Sequence, residues 1–126
     1  MQLTDHFTLA ELTRSDTAER RHIDNTPTPE VIDNLRALCH NVLEPARQAF
    51  GAPIYITGGY RCPALNAAVG GKPTSQHLRG EAADLQVKGV KNLRKLYNII
   101  KSHGVFDQLL YETNRTGARW LHVSYT

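Results

Sequence analysis

The sequence predicts an α+β fold: a small antiparallel sheet packed with two main helices. Three observations predict it. Apolar residues recur at three- and four-residue spacing over two long stretches, 31–46 and 93–100, the signature of amphipathic helices. A short β-branched and aromatic run stands at 54–57, and 82–87 reads as a second strand. Two further runs, about 107–112 and 119–125, flank TNRTGA, a hairpin loop that makes them antiparallel neighbours. The chain has 126 residues, which suits a single domain over 1–126. Hydrophobic residues make up 40% and charged residues 21%, too apolar a composition for a wholly disordered chain.

Each element has a local cause. Thr8 and Glu11 have capping-box spacing and predict a short helix over 9–14. Residues 14–30 are polar and carry Pro27 and Pro29; they read as an irregular surface segment whose alternating charges form a solvated face. Pro29 suits the first turn of a helix, where its missing N–H costs nothing. Val31, Leu35, Leu38, Cys39, Val42 and Ala46 then make one apolar stripe; Pro45 should kink its last turn, and Gly51 and Pro53 end it. Cys39 reads as a small core residue within that stripe. A strand at 54–57 closes at Gly58-Gly59, residues 63–69 make one or two helical turns, and 82–87 form a strand. The second clear helix runs over 91–103, with Leu93, Leu96, Tyr97 and Ile100 on one face and Gly104 as its stop.

The net charge of +3 favours anionic surfaces in general, but the Lys and Arg are mixed with acids and lack interleaved exposed aromatics, so nucleic acid is not an expected partner. No apolar stretch approaches the roughly 20 residues a bilayer span needs, so membrane insertion is not expected. The N-terminus has no basic start followed by an apolar run, so it does not read as a signal peptide. A chain made in the cytoplasm with two free thiols and a monomeric state are the defaults.

The residues able to carry chemistry begin with SQHLRGEAAD, residues 75–84. His77 and Asp84 lie seven apart, so the chain must turn between them, and Gly80 supplies the turn. In WLHVSY the even positions Trp120, His122 and Ser124 share one strand face, while Leu121, Val123 and Tyr125 share the better core face. His122 therefore points to the side where a site can be built. Two histidines and one carboxylate form a common catalytic zinc set with a fourth position left for water. Zinc lowers the pKa of that water to roughly 7 and polarises a carbonyl, which suits amide hydrolysis. From spacing alone, satisfied structural histidines remain an alternative.

The segment GGYRCPALNAAVGGKPTSQHLRGEAADL, followed by FDQLLYE and WLHVSY, resembles the M15 family of zinc peptidases. These are D-alanyl-D-alanine carboxypeptidases and L-alanyl-D-glutamate endopeptidases acting on peptidoglycan stem peptides. The short phage- and prophage-type members are the most similar; FTLAELTRS and NVLEPAR also resemble them, so the likeness covers almost the whole chain. It implies a hedgehog/D-Ala-D-Ala-carboxypeptidase-like domain and Zn2+ held by His77, Asp84 and His122. It implies that Arg61 reaches the substrate carbonyl and stabilises the developing oxyanion, and that Ser75 bonds substrate or a ligand side chain. Trp120 is read as a wall of the cleft, or as packing.

One position departs from the family. Many members carry Glu or Asp three residues before the last zinc histidine, where this chain has Arg119, and an Arg cannot take a proton from water. The hedgehog signalling domain has Tyr-Glu shortly before its last zinc histidine, and Tyr111-Glu112 resembles that arrangement. Glu112 is therefore the expected general base, with Asp107 as runner-up. The implied function is hydrolysis of a stem-peptide bond by zinc-activated water, either at D-Ala-D-Ala or at L-Ala-D-Glu, after phage-type release to the wall. The alternative is a catalytically silent wall-binding or virion module that keeps the zinc site. His6, His22, His40 and His103 read as surface or helix-end residues, and Cys62 as a small buried side chain or an oxidation-sensitive thiol near the cleft.

Overall fold

The computed structural model describes all 126 residues. A two-stranded hairpin opens the chain, β1 (Gln2–Thr4) with β2 (Phe7–Thr8), followed by α1 (Leu9–Thr13) and α2 (Asp16–Arg21). Next come α3 (Pro29–Leu38), a π turn (Cys39–Leu43) and α4 (Glu44–Phe50). The remainder is β3 (Tyr55–Gly58), α5 (Pro63–Ala68), a 3₁₀ turn (Gln76–Arg79), β4 (Ala82–Gln86), α6 (Val90–His103), β5 (Gln108–Thr113) and β6 (Arg119–Ser124). The four long strands form one sheet in the order β3-β4-β6-β5, every neighbour antiparallel. The α+β fold expected from the sequence is the fold observed.

Register decides what the sheet's two faces carry. Ala83 pairs with Val123 and Leu85 with Leu121, all four fully buried against the helices. Leu35, Leu38 and Leu43 of the α3–α4 arm and Leu93, Leu96 and Ile100 of α6 complete that core. One residue out of phase, Asp84 pairs with His122, and Glu112 of β5 pairs with Trp120. Because side chains alternate along a strand, these four point away from the core to the opposite face.

Three local features differ from the sequence expectation. The segment over 14–30 is not irregular throughout: Ser15 caps α2 by accepting from Ala18 N, and His22 ends it in the left-handed region at φ 54°. Propensity alone hid a helix this short. Gln2–Thr4 pair with β2, a hairpin that the polar QLTD start did not announce. In the α3–α4 arm the irregularity falls before Pro45 rather than in the last turn. Proline has no N–H to give to Asn41, and the chain takes up the mismatch as a π turn, with Glu44 N donating to Cys39 O. Cys39 is fully buried, and burial pushes its thiol up to about 12, as expected for an inert core cysteine.

Glu44 ties the N-terminal hairpin to this arm and was not anticipated, nor was the partner of His6. Its buried carboxylate accepts from the His6 amide at 2.8 Å and meets His6 Nδ1 at 2.6 Å. Burial alone would raise this carboxyl, but the bonds from the His6 ring, the His6 amide and Gln48 outweigh it and hold the group at about 2. A depressed carboxyl stabilises the fold fully above its unfolded value, near 4.5, and that contribution fades as pH falls toward 2. Replacing Glu44 by Gln should therefore cost roughly 1–3 kcal/mol at neutral pH. Denaturant titration should show the difference between variant and parent shrinking as pH drops from 5 to about 2; a constant difference would mean the charge is not involved.

Candidate metal centre and its groove

The site is assembled from the turn after β3, the 3₁₀ turn, and the outward face of β4 and β6. Ser75 caps the 3₁₀ turn by accepting from His77 N, and Gly80 ends it at φ 73°, the left-handed conformation that reverses the chain toward β4. A Cβ at Gly80 would also stand 2.9 Å from Val31 O, so the turn is pressed against α3. His77 and Asp84 are brought together by this reversal, as the Gly80 spacing predicted.

His77 is buried, and its Nδ1 lies 2.7 Å from Gly59 O. A carbonyl only accepts, so Nδ1 carries the proton, and in the neutral ring Nε2 keeps its lone pair. That nitrogen faces Asp84 Oδ1 at 3.5 Å, and His122 Nδ1 lies 3.2 Å from the same oxygen. The two imidazoles stand edge to face, 5.2 Å between centroids. Burial would raise the Asp84 carboxyl, but the His122 and His77 rings against it outweigh this and hold it well below the usual carboxylate range. Gly58 makes room for the carboxylate: a Cβ there would lie 2.9 Å from Asp84 Oδ2.

One ligand atom from each of His77, Asp84 and His122 falls within 4.8 Å of the others, so the three could hold one metal ion. Two imidazole nitrogens and a carboxylate oxygen are zinc's preferred kinds of donor. The backbone carbonyl on His77 Nδ1 is the support that a ligating histidine usually has, since it fixes both tautomer and ring plane.

A hollow of about 510 Å³ opens over this cluster, and the site residues read from the sequence, apart from the runner-up base Asp107, line it: Arg61, Ser75, Trp120 and Glu112 as well as the three metal-type residues. Arg61 is half-buried; its Nη2 donates to Ser75 Oγ at 3.3 Å, while its buried Nε has no partner. Burial lowers the guanidinium from its ordinary value, and Asp84 opposes that. Glu112 makes no hydrogen bond or ion pair with its carboxylate. Asp107 lies outside the lining, held by Gln76 Nε2 at 2.8 Å and Thr126 Oγ1 at 3.4 Å. Arg119 projects with Leu121 and Val123 to the other face and lines a separate hollow with Gln86 and Val87.

A second, larger hollow of about 790 Å³ shares Arg61 and Asp84 with the first, so the groove continues past the cluster. Its far wall combines Arg14, Thr17 and Arg20 of the α1–α2 segment with Tyr55 and Thr57 of β3, the strand at the sheet's edge. Part of the segment read as a solvated face is thus a groove wall. Residues 113–118, at the tip of the β5–β6 hairpin, line neither hollow.

Sequence reading missed Asn25. Its amide donates to Thr13 O at 2.8 Å and to Tyr60 O at 3.0 Å, and its Oδ1 accepts from Cys62 N at 2.8 Å. One side chain thereby fixes the loop that presents Gly59 and Arg61. An Asn between two apolar-poor turns carries no periodic signal, and only the fold reveals its three partners. Cys62 itself is half-buried and caps α5, its sulfur accepting from Leu65 N at 3.5 Å; it lines neither hollow.

The fold thus places a His–Asp–His cluster, the donor set of a mononuclear metal site, at the floor of an open groove on an antiparallel sheet. Residues 5–124 match the Peptidase M15 family, and the chain belongs to that family. Over 69 residues it is 38% identical to the zinc D-Ala-D-Ala carboxypeptidase of Streptomyces albus G, a stretch covering 54% of this chain and 26% of that protein. The alignment therefore reaches only about a quarter of the relative's length.

Proposed function

We propose that the protein is a zinc-dependent peptidase that hydrolyses a bond in peptidoglycan stem peptides. The observation that carries the reading is the convergence of Arg61, Glu112 and the His77–Asp84–His122 cluster on one hollow. Zinc, when bound by His77, Asp84 and His122, supplies Lewis acidity that polarises a peptide carbonyl and makes water nucleophilic at neutral pH. The protein's own groups do the rest. Glu112 takes the proton from the attacking water and returns it to the leaving amine. Arg61, with its unpartnered Nε and a guanidinium steadied by Ser75, donates to the oxygen on which negative charge develops. Trp120 forms a wall that holds the substrate backbone and limits water.

Of the two specificities, the cut between L-Ala and D-Glu is favoured. A carboxypeptidase ends its cleft just past the scissile bond, whereas this groove continues into the α1–α2 hollow. Mass spectrometry of purified stem-peptide fragments, with zinc-loaded and chelator-treated protein, tests the reading. The expected result is zinc-dependent cleavage at L-Ala–D-Glu. Loss of terminal D-Ala alone would keep the peptidase and reverse the specificity. Zinc retained without cleavage of any fragment would favour a silent wall-binding module.

A further inference from the structure

The side of α6 that faces away from the sheet is cationic. Between Asp84 and Asp107 the sequence has no acidic residue and carries Lys88, Lys91, Arg94, Lys95 and Lys101, a third of the 15 Lys and Arg in the chain. None of these five has a carboxylate within ion-pair distance; the ion pairs of the fold all lie elsewhere. Four basic side chains, Lys91, Arg94, Lys95 and His103, line one open hollow of about 500 Å³ together with Asn98 and Ser102. Arg94 packs on two aromatic rings, its guanidinium 4.6 Å from the Tyr111 ring centroid and 5.5 Å from that of Tyr97. This hollow shares no residue with the two around the metal cluster, and the core beneath Leu93, Leu96 and Ile100 separates it from them.

We infer that this α6 trough is a docking site for a phosphodiester-linked polyanion of the cell wall. Unpaired cations repel one another unless an anion neutralises them, and amide and hydroxyl donors among them suit phosphate oxygens. The trough's apolar lining is only Ala49 and Ile99, with no long exposed side chain to enter a lipid layer and no open aromatic platform for bases. The lining runs along one face of α6 from Lys91 to His103, and a row of cations matches phosphates spaced along a strand. The identity of the polymer rests on the wall-peptide reading above; the anion-binding trough does not. Docking on this face would leave the metal-bearing groove free and raise its local substrate concentration.

Cosedimentation on ice with bacterial sacculi that carry such a polymer, and with the same sacculi stripped of it by hydrofluoric acid, tests the inference. Zinc-loaded protein should bind the intact sacculi and lose affinity by about tenfold or more as salt rises from about 0.05 to 0.5 M. The double variant K91E/K95E, both positions exposed, should bind at least about tenfold more weakly while keeping its thermal midpoint and its turnover of soluble stem peptide. Equal binding to stripped sacculi, an unaffected double variant, or preference for duplex DNA or anionic vesicles would each overturn it. If neither protein cuts the soluble peptide, the peptidase reading fails, and the cosedimentation result still decides the docking site.

Discussion

Replacing Glu112 by Gln is expected to lower kcat by roughly 10²- to 10⁴-fold, with zinc content, thermal midpoint and KM close to those of the parent. The substitution keeps the size of the side chain and removes only its capacity to hold a proton. Glu112 sits on β5 opposite Trp120, on the sheet face that carries Asp84 and His122, and it lines the same hollow. No hydrogen bond or ion pair occupies its carboxylate, so nothing in the fold depends on its charge. The competing carboxylate is differently placed: Asp107 is bonded by Gln76 and Thr126 and does not line the hollow. Measured as turnover of a stem-peptide fragment at matched zinc occupancy, a Gln variant within about tenfold of the parent would take the base role away from Glu112. Loss of zinc together with activity would instead make Glu112 a support of the metal centre.

What the sequence made legible follows from how each signal arises. The α6 stripe and the alternation in WLHVSY are periodic over several residues, and periodicity survives without knowledge of neighbours; both elements appear within a residue or two of their expected bounds. The face on which His122 lies could be read the same way, because Leu121 and Val123 had to be inside. The partnership of His77 with Asp84 needed only one turn at Gly80. That Glu112 would share the hollow depended on strand register, which the TNRTGA loop fixes and a resemblance suggested. What could not be read was the set of long-range polar contacts. Asn25 gains its meaning from Thr13, Tyr60 and Cys62, the last 37 positions away, and Glu44 from His6, 38 away. The same holds for α2, a helix of six residues, too short to show a stripe.

Gly59 should tolerate no side chain, and Gly59→Ala is expected to damage both fold and metal centre. The strain is not conformational, since Gly59 is not among the glycines with positive φ. It is steric: an added Cβ would stand 2.1 Å from Leu12 O and 2.7 Å from Leu12 C, backbone atoms of a fully buried residue in α1. Backbone cannot swing aside as a flexible side chain does, so the turn after β3 must move away from α1. That movement strains the Tyr60 N to Leu12 O hydrogen bond, now 2.7 Å, and carries the Gly59 carbonyl away from His77 Nδ1. Overpacking of this kind costs about 3 kcal/mol, the upper part of the usual range, or roughly 10 °C in thermal midpoint for a chain of this size. Losing the carbonyl that fixes the His77 ring should weaken zinc binding by about 10- to 100-fold. The two effects separate by measurement: calorimetry of the zinc-free protein reads the clash alone, and competition with a zinc chelator reads the ring. A variant that melts lower yet binds zinc as tightly as the parent would show that the 3₁₀ turn, and not the Gly59 carbonyl, orients His77. A variant unchanged in both would mean that α1 does not hold the Gly59 turn in place.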